Sequence, residues 1–312
     1  MEIISIALNA VVPFLVFLTI GYFGRKIGAV EEEFLRKLNR TNFRFFFPFV
    51  MFNNLYGIEW STLSSGGYVL FAVAATLILL LISWLLVPIF VKQNARRSVV
   101  IQAIYRSNAI LFALPVAGSV CGDAGIQKAS LLTAFVVPLY NISAVILLEY
   151  YRGKKVSPVG ILKDVLKNPI IKGAIAGIIF SLLPFELPSC LRSPIAQLAG
   201  MATPLALFVL GGTLKFSHAR SNIFCLSLVS TIKLVLVPGL MLVIMTLAGF
   251  NSVELFSIFC LFATPVATAS YPMAQSMGAD ADLAGEFVVL TTTMSICTLF
   301  LWVLVVKSLG IV

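Results

Sequence analysis

Charge is what this sequence has least of. Of its 312 residues only 11% are Asp, Glu, Lys or Arg, while 60% are hydrophobic, and the mean hydropathy is +1.03. A soluble domain carries about a quarter charged residues, so the deficit excludes an ordinary water-facing surface and fits a chain whose solvent is mostly lipid. Histidine occurs once, as His218. No Ser/His/Asp set, metal-ligand cluster or phosphate-cradling glycine loop is visible, which argues against an enzyme and leaves no cofactor or metal to expect. The five cysteines, Cys121, Cys190, Cys225, Cys260 and Cys297, are scattered without a CxxC pair and read as small packing residues. The net charge of +9 does not form one solvated stripe. It stands in short clusters between apolar runs, a topology signal for a bilayer and not a nucleic-acid surface. The start of the chain, Met1-Glu2, lacks a basic n-region and reads as the first span, not a removable signal peptide.

What is abundant is apolar sequence in long runs. Ten segments can be marked, over residues 3–24, 34–56, 67–91, 98–119, 125–151, 169–187, 194–214, 221–248, 253–277 and 281–306. A spanning helix needs about 20 apolar residues, so ten spans use up the length and leave no separate soluble domain. The expected fold is an all-α, multi-pass membrane protein of the cell (inner) membrane. Alternate connections divide the basic residues seventeen to three: the larger set runs from Arg25 to Arg220, the smaller holds Lys128, Arg192 and Lys307. The positive-inside rule places the larger set in the cytoplasm and both termini outside it. In the second segment Arg36, Lys37, Arg40 and Arg44 share one face, which meets the cytoplasmic interface or lines a water-filled entry.

The two halves echo each other. The fourth segment contains RSNAILFALPVAGSVCGDAG and the ninth ATPVATASYPMAQSMGADAD. Aligning Pro115 with Pro272 pairs Ala117 with Ala274, Ser119 with Ser276 and Asp123 with Asp280, at an offset of 157; Pro48 and Pro204 recur at 156. Five spans per half is an odd number, so the second half must insert upside down. Residues 1–151 are the expected first repeat, 152–168 a cytoplasmic linker, and 169–312 the inverted second repeat.

Proline inside a helix removes a backbone hydrogen bond, and in lipid the freed carbonyls must be satisfied by protein or water. The paired prolines carry polar neighbours: Ser107 and Asn108 before Pro115, Thr268 and Ser270 before Pro272. Two facing breaks would present half-helix N-termini that suit a carboxylate; the plainer reading is that each proline only kinks a packed helix. Lys233, near the middle of the eighth segment, is expected to face the bundle and compensate charge, unless it snorkels. Arg106 either attracts anions or snorkels, and Glu286 could carry a proton or cation. Asp280 and Asp282 are expected to cap the tenth helix, and Gly173 with Gly177 to permit close helix packing.

The stretches FFFPFVMFNNLYG, NAILFALPV, NPIIKGAIAG, ATPLALFVLGGTL, ATPVATASYPMAQ and GADADLAGEFVVLTT, in this order over the whole chain, resemble the auxin efflux carrier family. That family lies in the bile acid/auxin transporter superfamily and includes plant auxin exporters and bacterial malate and malonate permeases. The resemblance implies a 5+5 inverted repeat whose fourth and ninth helices break and cross at prolines. It also implies elevator-type transport of a mono- or dicarboxylate past a scaffold that forms a homodimer. An asparagine beside the fourth-helix proline binds substrate in relatives, and Asn108 matches it. The long hydrophilic loop of many plant members is missing here. The driving force would be a proton or sodium gradient or the membrane potential. A sodium-coupled symporter like the bile acid transporters is the same-fold rival, with Lys233 against it. A non-transporting sensor or receptor is the rival of another class, and would not need two mirrored breaks.

The charge bias generates a test. A single cysteine at position 155 of a cysteine-free protein should resist an impermeant reagent applied to intact cells and react only after permeabilisation. Labelling from outside would reverse the orientation.

Overall fold

The computed structural model describes residues 2–57, 67–152, 158–184, 186–214 and 222–312. Lys154, Lys155, Lys215, His218 and Arg220 lie outside them. Helices cover every apolar segment, and among the described residues there is no β-strand. They are α1 (Glu2–Lys26), α2 (Glu32–Thr41), α3 (Phe47–Tyr56), α4 (Gly67–Phe90), α5 (Asn94–Tyr105), α6 (Leu114–Tyr150), α7 (Pro158–Lys167), α8 (Pro169–Ser181), α9 (Ser189–Thr213), α10 (Ile223–Thr231), α11 (Val237–Leu247), α12 (Ser252–Ala263), α13 (Ser270–Met277) and α14 (Ala281–Ser308).

Five helical stretches are long and apolar enough to cross a membrane: Gly67–Phe90, Ala109–Tyr150, Ser189–Thr213, Ile223–Leu247 and Ala281–Ser308. The second has 42 residues, which as a straight helix would reach roughly twice the thickness of a bilayer core. It does not run straight. Gly122, at φ 62° and ψ −149°, breaks it, in a left-handed region that glycine enters without steric penalty. One face of α4 exposes Leu70, Ile78, Leu81, Leu85 and Ile89, each more than half accessible, a face that only lipid or another apolar surface would cover.

There are three wide turns, in which the backbone bonds skip one residue further than in an α-helix: Asn42–Phe46 and Ile232–Leu236 each join two helices, and Ala109–Ala113 leads into α6. Each ends two residues before a proline, namely Pro48, Pro115 and Pro238. Proline has no N–H to donate and its ring presses on the carbonyl one turn back; widening that turn makes room. Pro88, Pro138 and Pro204 lie inside helices without one, so the proline permits the wide turn without dictating it.

Glycine sets the closest approaches. A Cβ on Gly173 would fall onto the Pro48 carbonyl, and one on Gly177 would stand 2.8 Å from the Phe52 oxygen, so α8 packs backbone to backbone on α3. This is the helix packing expected of that pair. Gly21 likewise faces the Phe208 carbonyl and Gly211 the Leu18 carbonyl, which joins α1 to α9.

Polar clips gather the helix ends. At the end rich in Lys and Arg, Arg25 bonds Glu32 at 2.5 Å and the Gly212 carbonyl at 2.9 Å, and Arg96 reaches Asn222 at 2.7 Å and Asp280 at 3.7 Å. At the other end Lys128 pairs with Glu254 at 2.9 Å over the Tyr68 ring, and the Leu187 N–H donates to the Tyr56 hydroxyl at 2.8 Å. Asp280 caps α14 as expected, its Oδ1 accepting from the Leu283 N–H at 3.0 Å.

The glycine contacts lead to a measurable asymmetry. Gly173→Leu should force α8 off α3 and lower thermal stability by several kcal/mol, or prevent folding. Gly200→Leu, at a glycine with nothing within 4 Å of its Cβ position, should stay close to wild type in a detergent melting assay.

Candidate functional site

Two helices are interrupted, and their interruptions meet. The chain leaves helix at Tyr105, runs extended through Arg106–Asn108, and resumes helix at Ala109. It leaves helix again at Ala263 and resumes at Ser270. Ser107 and Val266 form an antiparallel bridge, and the Asn108 N–H donates to the Pro265 carbonyl at 2.8 Å. The Val266 N–H donates to Thr291 Oγ1 of α14 at 3.1 Å. The local sequence explains the breaks. Pro265 pushes Thr264 into the extended region, where it sits at φ −81° and ψ 156°, while Ser107 and Asn108 compete for backbone bonds and favour helix ends.

The prolines that drew attention in the sequence are not themselves the breaks. Pro115 and Pro272 belong to the first turn of α6 and of α13. In the first turn of α13 the missing N–H of Pro272 is harmless, because no acceptor stands there for it, while Pro115 follows the wide turn Ala109–Ala113, which makes room for its ring. The breaks lie about two turns earlier along the chain.

Two cations are buried at the crossing. Lys233 is fully inaccessible and its Nζ donates to Ser107 Oγ, so it faces the bundle and does not snorkel. Arg106, 1% accessible, donates to Gln102 Oε1 at 3.0 Å and to Asn141 Oδ1, and touches Met273 Sδ at 3.2 Å. Neither takes part in an ion pair among the described residues. Buried charges with only neutral partners are costly in a membrane interior, and the crossing holds two such side chains.

A cavity of about 120 Å³ adjoins the crossing, lined by Arg106, Ser107, Asn108 and Thr268 together with Asn54, Tyr140 and Asn141. Asn108 Nδ2, Arg106 Nε and Asn54 Nδ2 are buried there without an acceptor. An anion would supply what these three donors lack. Beside it lies a larger cavity of about 710 Å³, with which it shares Val50, Asn54, Ile110, Leu111 and Thr203 as walls. The larger one is walled mostly by apolar groups of α1, α3 and α9, including Phe14, Phe17 and Leu207, and by Pro115.

The structure therefore gathers Arg106, Ser107, Asn108 and Thr268 at one place, with Lys233 behind Ser107 and Pro115 in the adjoining space. Three other candidates lie apart from the cavity lining. Ser270 is buried with an unpartnered hydroxyl. Pro272 offers its carbonyl to Asn39 Nδ2 at 3.2 Å. Glu286 accepts from Asn222 Nδ2 at 2.8 Å within the charged end of the bundle. The sequence reading passed over Asn54, Tyr140 and Asn141. The signal was present: an asparagine within an apolar helix is expensive unless it has a task, and both Asn54 and Asn141 stand in such runs.

Comparison with known proteins gives a match to the family described as "Membrane transport protein" over residues 6–303. A protein of Methanothermobacter thermautotrophicus described as an uncharacterized transporter is 26% identical over 303 residues, covering 94% of this chain and 96% of the relative. Another of that description, from Methanocaldococcus jannaschii, is 23% identical over 310 residues, 95% of this chain and 98% of its own. A Rhizobium meliloti protein provisionally described as a malonate transporter is 30% identical over 140 residues, 45% of this chain and 44% of its own.

The Lys233–Ser107 contact carries a prediction that separates structure from activity. Ser107→Ala strips a buried ammonium of its acceptor and should lower stability by about 1.5–3 kcal/mol. Lys233→Met removes the charge itself and should melt no lower than wild type while losing transport. A destabilised, active Lys233→Met protein would make the lysine a structural residue.

Proposed function

The chain belongs to this family of membrane transport proteins, the auxin efflux carriers, and we propose that it is a secondary transporter that binds a small organic anion at the crossing of its two interrupted helices. The multi-pass membrane setting and the transport role come with the family and the apolar helices. The observation that carries the anion is the convergence of Asn108 Nδ2, Asn54 Nδ2 and Arg106 Nε, all buried and without acceptors, beside two cations in no ion pair among the described residues. Malonate, the substrate in the description of the Rhizobium relative, is a fitting first probe.

The proposed architecture is ten crossings in two inverted halves, residues 1–151 and 169–312. Its support is the antiparallel meeting of Ser107 with Val266, near the middle of matched segments, and the sorting of alternate connections to opposite ends. The proposed motion is an elevator. Glycine contacts bind α3 to α8 and α1 to α9, which suits a scaffold; the interrupted helices with α4, α10, α11 and α14 form the moving part. The cavities lie along the seam between these groups. The larger one is lined by the middle portions of α1, α3 and α9. At the basic end the seam is shut by Asn39 on Pro272 and Ser276 and by Thr213 on Tyr271. This conformation is then open away from the cytoplasm, with both termini on that outer side.

The test is direct binding of malonate, within a panel of mono- and dicarboxylates, to purified protein. Asn108→Ala and Asn54→Ala should each weaken the bound anion about ten- to a hundred-fold, the range of a lost hydrogen bond to a charged partner, with little change in melting. Wild-type affinity in both variants would move the site elsewhere.

A further inference from the structure

A second positively charged cavity, of about 280 Å³, lies well away from the crossing, where α2, the end of α6, the start of α8 and the end of α13 come together. Its walls carry Arg40, Arg44, Arg152 and Lys167 against two carboxylates, Glu149 and Asp164. Glu149 is already engaged by Arg152 at 3.3 Å. Arg40, Arg44 and Lys167 form no ion pair with any described residue. An excess of unpaired guanidinium groups in a concave space is a receptor for a phosphate or carboxylate.

A second, independent observation says which anion. Helix α7 borders the cavity through Asp164 and Lys167, and it is amphipathic in an unusual sense. Val165 is buried against the protein, while Val159, Leu162 and Leu166 are 75%, 59% and 49% accessible on another face. Phe45, next to Arg44, is 65% accessible. Exposed apolar groups beside exposed Lys and Arg describe a surface seated at the boundary between headgroups and acyl chains. A soluble anion would use the charges and leave the apolar collar unexplained; a phospholipid uses both.

We propose that this cavity binds the phosphate headgroup of an anionic phospholipid in the leaflet on the Lys- and Arg-rich side of the membrane. Arg40 and Arg44 sit one turn apart and can hold the phosphate from one wall; Arg152 and Lys167 close it from the other. The acyl chains then lie along Phe45 and the open face of α7. The cavity takes its walls from α2 on one side and from α6 and α13 on the other, so a bound lipid would tether helices that the transport cycle moves apart.

The experiment offers detergent-purified full-length protein equal amounts of phosphatidylglycerol and phosphatidylcholine and counts the retained lipids by native mass spectrometry. Wild type should retain phosphatidylglycerol preferentially. R40Q/R44Q should lose about tenfold or more of that preference, R152Q should shift it in the same direction, and K92Q/K172Q, which removes the same charge outside the cavity, should keep it. Equal retention of both lipids by wild type, or equal loss in the two double variants, would overturn the site in favour of general surface attraction. Displacement of the lipid by millimolar inorganic phosphate would overturn it in favour of a soluble anion. The readout does not depend on transport, so it stands or falls separately from the reading of the crossing.

Discussion

The structure depends on one short backbone pairing. Where α5 and α12 stop, the peptide groups of Arg106–Asn108 and Thr264–Ala269 have no helix to satisfy them, and water is scarce at that depth. The Asn108 N–H takes the Pro265 carbonyl, and Thr291 supplies an acceptor for the Val266 N–H. Each interrupted helix is thus the condition for the other. Without the pairing, neither break would persist as more than a hydrated defect, and the half-helix ends that face the cavity would not be held in place.

Charge follows from that arrangement. A site assembled from backbone ends and amide side chains can hold an anion without a fixed salt bridge, and Asn offers donors that release as readily as they bind. The charged side chains are held by neutral partners, Lys233 by Ser107 and Arg106 by Gln102 and Asn141, with Arg106 Nε left without an acceptor beside the cavity. They raise the potential of the cavity.

Much of this was legible in the sequence. The apolar segments follow from composition, since lipid imposes one length and one polarity on every crossing helix, and the helices observed match them to within a few residues. The position of the breaks was not legible from Pro115 and Pro272. Proline marks both a broken helix and a well-started one, and only the tertiary pairing decides which. Asn108, singled out through the family resemblance, lies at the crossing and lines the cavity. Asn54 was missed because nothing local distinguishes it from a helix-packing polar residue; its place beside the crossing appears only when α3 is laid against it. Glu286, expected just inside the start of the last helix, lies there on α14 and accepts from Asn222 at the basic end.

The wide turn at Asn42–Phe46 has an effect that is purely one of phase. A regular helix advances about 100° per residue, so Arg40 and Asn54 would point within about 40° of each other. One additional residue taken up by the turn sets everything beyond it back by about 100°, which carries Asn54 most of the way to the opposite face. The segment can then be read in two frames: one presents Arg40 and Arg44 to the cavity at the basic end, the other presents Asn54 to the interior. The turn acts as a gear between them, and the sequence on either side can change to suit its own surroundings without disturbing the other.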